Sequence, residues 1–346
     1  MLYVTTRISD DAFTAHRVLT EDRGPEGGLY VPMRDPLYTR QQILALGEKT
    51  FSENVADVMN LLFQTDLDGW AVEFAIGRYP LRMAAISAKV AVAELWHNPQ
   101  WQFERLARNL SRLVLKSDED ISSSCWMLIG ARIAMLFGAY GELVHAGQLE
   151  AGGTLDVVVP SFDLSPAMAA WFARRWGLPI GNIVVCCNEN NQLWGLLRHG
   201  QLRTDAVAIR TGLGKCDHAV PPDLERLVYC TLGAAEAKRY CEICRKGGSY
   251  ILQDAQLDRL RQGIWVSVVS QHRTEAMISG IYKSSGYIAE PYTALCYSGL
   301  MDYRAQTGES RPALILSEES PAFYLDMVSG CLGIPRKVLK ERIDRS

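Results

Sequence analysis

No nucleic-acid face, secretion signal or membrane anchor is written into this 346-residue sequence. Its 36 Lys and Arg are spread along the chain against 39 Asp and Glu, for a net charge of −3. No basic stripe invites nucleic acid and no polybasic run invites an anionic membrane. The first residues, MLYVTTRISDDAF, lack the basic and apolar regions of a signal peptide. Internal repeats and low-complexity tracts are absent too. The nine cysteines (125, 186, 187, 216, 230, 241, 244, 296, 331) follow no regular spacing, which argues against a disulfide framework and for free thiols in a cytoplasmic setting. The most apolar stretch, CWMLIGARIAMLFGAYGELVHAG, carries Arg132 and Glu142 and reads as a buried helix rather than a membrane span.

What is present is an ordinary globular composition, 48% hydrophobic and 22% charged. GPEGGLYVP (24–32) is a glycine-rich turn running into a short strand. From TRQQILALGEKTF through RMAAISAKVA the apolar residues recur at helical spacing. ELWHNPQWQFERLARN (94–109) reads as strand, turn and helix. KSDEDISSS (116–124) is the best linker. Residues 154–188 carry the clearest signal: TLDVVVPS and GNIVVCCN are uninterrupted apolar strands flanking the helix SPAMAAWFARRWGL, with Ser165 as N-cap and Pro166 at its first position. Such strands are covered on both faces, so this is a right-handed βαβ unit of a parallel sheet. YTALCYSGLMDYRAQTG, RPALILSEES and PAFYLDMVSGCLG repeat the alternation of helix and strand. Ligands of such sheets sit at the carboxyl ends of the strands, which selects loops 160–166, 188–192 and 317–321.

Several stretches, in order, resemble the threonine synthases. YVTTRISDDAF…EDRGPEGGLYVP resembles that family's N-terminus. ELWHNPQWQFERLARNLSRL resembles its E-L-F-H-G-P-T-x-A-F-K-D-F-A segment. VVPSFDLSPAMAAWFARRWGLPIGNIVVCCNENN resembles V-P-S-G-N-F-G-N and the A-T-N-x-N that follows. DLERL (223–227), GYIAEPYTALCY and LSEESPAFY resemble N-F-E-R-L, G-Y-x-x-x-P-H-T-A-V-A and L-x-T-A-H-P-A-K-F. The resemblance implies an α/β fold of the type II pyridoxal-phosphate (PLP) enzymes, a three-layer parallel sheet like that of tryptophan synthase β. It also implies a lyase acting on O-phosphohomoserine in threonine biosynthesis.

The positions that would hold the cofactor depart from that pattern. Glu104 stands where the family has its Schiff-base lysine, and a carboxylate cannot condense with an aldehyde. Arg105 and Arg108 cannot replace the lysine, because guanidinium keeps its proton, and Lys116 lies too far along the helix. Phe162, Asp163, Leu164 and Ser165 stand at the glycine-containing phosphate loop. Asp163 would repel a phosphate by about 4 kcal/mol at 4 Å and an effective dielectric of 20. Glu318 stands at the hydroxyl that partners the pyridine nitrogen. The S-G-D-T-G segment has no counterpart, so the smaller, cofactor-covering domain is expected to be largely deleted.

The expected organisation is a mostly helical N-terminal segment (1–90), a remnant of the smaller domain (91–120) and a large α/β domain (121–346). No catalytic or cofactor-binding residue is expected, and PLP, though implied by the family, is not expected to bind. The expected role is that of a pseudoenzyme with an interaction or regulatory function. A homo-oligomer or a protein partner would cover the surface that the smaller domain vacates; the alternative is a retained PLP-dependent lyase. Glu104, Asp163 and Glu318 together form a weak candidate cation or amine site, with Arg105 or Arg108 as possible internal neutralisers. The C-x-x-C of Cys241 and Cys244, Cys186 with Cys187, His97 in its turn and the tryptophans of WFARRW and LWGLL read as structural.

Overall fold

The computed structural model describes residues 1–7, 11–77, 81–96, 102–117 and 125–345. His97 and Asn98 lie outside these residues, as does most of the expected linker. A six-stranded sheet organises the chain in the order Ile264–Val268, Ile180–Cys187, Leu155–Pro160, Ala313–Ser317, Val90–Glu94 and Arg82–Ser87. Neighbours run parallel except for the last pair, an antiparallel hairpin. Among the described residues this is the only sheet with parallel strands; a three-stranded and a two-stranded antiparallel sheet complete the set.

The Val-rich strands are buried on both faces. Val157 and Val159 belong to one apolar cluster with the helices Cys125–His145 and Ser165–Arg175, whereas Val158 belongs to a second with the helix Pro291–Thr307. Successive side chains point to opposite faces of a strand, so continuous apolar runs and helices on both sides are one fact. The expected βαβ unit is present as Leu155–Pro160, Ser165–Arg175 and Ile180–Cys187. Cys125–His145 is long and apolar enough to cross a membrane by length and composition, but 83% of its apolar window is buried inside the fold.

Two expectations about elements change. RMAAISAKVA is not helical: it forms the strands Arg82–Ser87 and Val90–Glu94, joined by a turn at residues 88–89. Its small apolar residues fit either periodicity, and pairing of Val90–Glu94 with Ala313–Ser317 decides the outcome. The boundary expected at residue 90 falls at the end of that turn, and the strand that follows joins the same sheet as the large α/β region. Ser165 is the first helical residue rather than the cap, which is Leu164 at φ +76°.

Four helix starts in the N-terminal region are capped locally. Thr14, Thr39, Thr50 and Asp68 each accept a backbone N–H with their side chains, and Thr39/Gln42 and Thr50/Glu53 are full capping boxes. Helix Phe103–Leu115 follows. It buries Phe103, Leu106, Ala107 and Leu110 and ends on Lys116 in the left-handed region at φ +51°.

Candidate functional site

The carboxyl ends of the five parallel strands lie on one side of the sheet, and the segments that follow Val90–Glu94, Leu155–Pro160 and Ala313–Ser317 meet there at one crevice. Backbone bonds bring its walls together: Phe103 N–H donates to the Glu318 carbonyl at 3.2 Å, Leu95 N–H donates to the Ser317 carbonyl at 2.9 Å, and Gln102 forms an isolated bridge with Glu319. The first turn of the Phe103–Leu115 helix therefore lies against the end of the Ala313–Ser317 strand, and Glu104 comes to face Glu319.

Loop 161–165 supplies the floor. Phe162 (φ +37°) and Leu164 (φ +76°) both take left-handed backbone conformations without being glycine, a strained arrangement that persists only where its surroundings hold it. Both side chains are buried. Phe162 packs edge-to-face on Tyr292, ring centroids 4.9 Å apart, and Leu164 N–H donates to the Ser161 carbonyl at 2.7 Å. Within the loop, Asp163 Oδ1 accepts from Ser165 N–H at 3.0 Å and from Ser165 Oγ at 2.5 Å. The Ser165 donor at the helix N-terminus, a position favourable to anions, is thereby taken by the chain's own carboxylate.

Two cations from outside the loop neutralise the acids. Arg132, on the buried Cys125–His145 helix, donates through Nε to Glu318 Oε1 at 2.6 Å and through Nη2 to Oε2 at 2.8 Å, while Nη1 donates to Ser165 Oγ at 3.0 Å. Its guanidinium also stands 4.5 Å above the Phe103 ring. Both members of this fork are only 4% exposed, the geometry in which guanidinium–carboxylate pairing is strongest. Burial acts to lower the arginine's pKa, but Glu318 outweighs it, so its affinity for the proton rises.

The second cation is Lys215, in the single turn Gly214–Cys216. Its Nζ lies 2.7 Å from Glu104 Oε1 and 2.7 Å from Glu319 Oε1, with the Phe162 ring centroid 5.6 Å away. Burial opposes the ammonium, yet Glu104 and Glu319 more than reverse this and hold Lys215 above the usual lysine range. Burial pushes the Glu104 carboxyl up, and Lys215 draws it back below the usual carboxylate range.

A polar scaffold fixes the approach of Lys215. Its own N–H donates to the Tyr292 hydroxyl at 3.2 Å. Asn188 Nδ2 donates to Asp217 Oδ1 at 2.7 Å and to Thr211 Oγ1 at 2.9 Å, and Asn190 Nδ2 donates to the Ile209 carbonyl at 2.8 Å. Loop 188–192 thus contributes by holding the lysine's segment in place. Glu290 caps the Pro291–Thr307 helix, accepting from Tyr292 and Thr293 N–H at 2.5 and 2.6 Å. Its burial pushes the carboxyl up to about 7 against those bonds, with Glu319 adding in the same direction.

The three acids singled out in the sequence do share this crevice, through the chain Glu318–Arg132–Ser165–Asp163 and through Glu104 beside Glu319. Lys215 and Arg132 pair with these acids, and Arg105 is exposed while Arg108 is half-buried. Sequence reading missed Lys215 because 111 residues separate it from Glu104 and no motif marks it. The nearest available signal was Asp217 and the Asn-rich CCNENN segment, whose mutual hydrogen bonds need the fold to be seen.

Among the described residues no group of His, Cys, Asp and Glu is arranged to hold a metal ion. Cys241 and Cys244 are half-buried on the helix Ala234–Lys246 and line a cavity of about 670 Å³ with Arg7 and Glu225. Burial, with Glu225 adding, pushes the Cys241 thiol up to about 12, which leaves it an unreactive thiol. Cys186 and Cys187 are buried at the end of their strand, and Trp176 is buried, but Trp194 is 36% exposed.

Comparison with known proteins fits this architecture. Residues 2–76 match the family model described as the threonine synthase N terminus. Human threonine synthase-like 1 is 25% identical over 175 residues, covering 49% of this chain and 23% of that protein. Threonine synthase of Eremothecium gossypii is 26% identical over 229 residues, covering 61% of this chain and 44% of its own length. The chain thus spans less than half the length of these curated relatives. The crystal structure of PLP-bound threonine synthase from Brucella melitensis superposes with a TM-score of 0.84 at 18% identity, covering 96% of this chain and 91% of that one. On the N-terminal match, the curated relatives and the fold together, this chain resembles the threonine synthases and shares the fold of their solved structures.

Proposed function

We propose that this chain is a threonine synthase-like pseudoenzyme whose role is to bind another protein or a second copy of itself. The observation that carries the reading is the internal neutralisation of the crevice: Lys215 lies between Glu104 and Glu319, and Arg132 is forked onto Glu318. PLP is the group that the fold family implies, and the residues present do not fit it. A carboxylate stands at position 104, where an amine is needed. Asp163 takes the donors at the helix start where a phosphate would go. The ammonium nearest to position 104 is kept protonated by two carboxylates, and a protonated amine is not a nucleophile.

Support for a binding role comes from the helix Gly69–Ile76. Trp70 and Phe74 are 67% and 80% exposed and stacked on each other, centroids 6.1 Å apart. This helix abuts the one carrying Glu104, with Asn109 Nδ2 donating to the Ala75 carbonyl at 2.9 Å. Paired exposed aromatics on a helix beside the crevice are the composition of an interaction patch.

One observation favours the alternative, a PLP-dependent lyase: Lys215 brings an amine to 2.7 Å from Glu104, which aligns with the family's Schiff-base lysine. Visible absorbance of the purified protein with added PLP, before and after borohydride, separates the two. A protein that stays colourless and unmodified is expected; a band abolished by borohydride replaces this reading with the lyase. Sedimentation of the Trp70→Asp/Phe74→Asp protein tests the patch, with loss of the wild-type complex expected and unchanged assembly counting against it.

A further inference from the structure

We infer that the outer edge of the strand Ile264–Val268 is a docking site for an extended peptide segment of another protein, which joins the sheet as a further strand. The inference goes beyond the proposed binding role: it adds a second surface and names the chemistry of its partner. It holds whether or not the crevice binds PLP.

Ile264–Val268 ends the six-stranded sheet, and among the described residues no strand pairs with its outer side. Ile183 N–H donates to the Gly263 carbonyl and Val269 N–H donates to the Cys187 carbonyl, both at 2.9 Å. Backbone groups of successive residues face opposite sides of a parallel strand. Residues 263, 265, 267 and 269 therefore serve the neighbouring strand, and Ile264, Val266 and Val268 aim their backbone groups outward. The Ile264 N–H is taken by the Arg261 carbonyl at 3.0 Å. Among the described residues no protein group meets the N–H and C=O groups of Val266 and Val268.

The two edges of the sheet are treated differently. At the far edge, Arg82–Ser87 carries a charge and a register shift between Ala85 and Ser87, devices that discourage further pairing. The sequence IWVSV has no charge and no proline, and its register runs without a bulge. A bare edge of this kind accepts an added strand through main-chain bonds.

This edge is also recessed. A cavity of about 700 Å³ runs along all five residues, between Trp194 and Arg198 of the helix Gln192–His199 and Asp302 and Gln306 of the helix Pro291–Thr307. The helices lie on opposite faces: Val266 shares an apolar cluster with Leu193 and Leu197, whereas the Trp265 ring packs on Tyr303, centroids 5.5 Å apart. Walls on both faces keep the edge of a second folded sheet away and admit a single slender chain. Charge narrows the occupant further. Asp258 is paired with Arg261 and Asp302 with Arg273, but Arg198 is exposed and has no ion pair among the described residues. The segment that fits is extended, apolar against Trp194, and acidic toward Arg198.

The test uses the full chain and a displayed library of random heptapeptides, selected on wild type and compared with Val268→Pro. That substitution deletes one outward N–H and leaves the bonds to Ile180–Cys187, the situation in which an edge strand tolerates proline. Enrichment on wild type but not on the variant is expected. An enriched peptide, made synthetically, should lose affinity roughly tenfold or more when its edge-facing amides are N-methylated, and little when the intervening ones are. Arg198→Glu should weaken it several-fold. No enrichment on wild type, equal enrichment on Val268→Pro, or equal loss from both methylated series overturns the inference. Wild-type dimers that Val268→Pro abolishes would also overturn it, in favour of a second copy as occupant. Should Val268→Pro fail to fold, amide hydrogen exchange of wild type serves instead: the peptide should slow Val266 and Val268 but not Trp265 and Ser267, and unchanged Val266 and Val268 overturn the inference. None of these outcomes alters the borohydride result or that of Trp70→Asp/Phe74→Asp, so this inference and the proposed function fail separately.

Discussion

The crevice contains two ion-pair systems built differently. Arg132 and Glu318 are both 4% exposed and joined by two parallel bonds, and Ser165 and the Phe103 ring occupy further faces of the guanidinium. Lys215, Glu104 and Glu319 are joined by single contacts, with the lysine one-third exposed. The first is a pin: its charges are out of water and either one alone would be costly. The second is a latch, still washed by solvent and screened by salt. A crevice can thus be electrostatically neutralised in two ways, and only one of them is readily opened.

The largest expected effect breaks the pin. Arg132→Met should destabilise the fold by about 3–5 kcal/mol, because it leaves Glu318 buried and unpaired. Arg132→Met/Glu318→Met should recover most of that loss, as read from denaturant midpoints. If the single change costs no more than a surface pair, the contrast between pin and latch disappears.

Next comes pH. Glu290 is pushed up to about 7 in the fold, above its ordinary 4.5, so the folded state binds the extra proton between those values. Its contribution is present below about 4.5 and is lost as pH rises through about 7, a fall of about 3 kcal/mol. Asp223, pushed up to about 6 by burial, acts in the same sense. Glu104 acts in the opposite sense: held low by Lys215, it adds stability above the ordinary carboxylate range that is lost as pH falls. Denaturation of Glu290→Gln across pH 4.5–7 should show a shallower fall than wild type.

The latch should give less. Lys215→Met is expected to cost about 1 kcal/mol at low salt and less at high salt; a cost that does not change with salt would put Lys215 in the same class as Arg132. Smallest of all, Lys116→Gly should raise stability by about 0.5–1 kcal/mol. It places glycine at the exposed left-handed end of the helix that carries Glu104, without touching the crevice. Absence of a gain would mean that Lys116 has contacts that offset its backbone strain.

The sheet core was legible because Val-rich strands and the helices between them declare themselves by period and length, as at residues 155–187. The hairpin at 82–94 was not, since small apolar residues carry no clear period and pairing with a strand more than 200 residues later decided their conformation. At the site, the residues at 104, 162–165 and 318 could be read one by one against the pattern they resemble. Their partners could not be read. Arg132 lies in a helix that reads simply as buried, and Lys215 in a turn without a motif.

By itself the sequence determined the layered α/β fold, the course of its central strands and the presence of a carboxylate at position 104, because these depend on local pattern and on residue identity. Tertiary structure alone decided which charges meet. Electrostatic partnership depends on distances of a few ångströms between segments far apart in the chain, and only closure of the sheet brings those segments together.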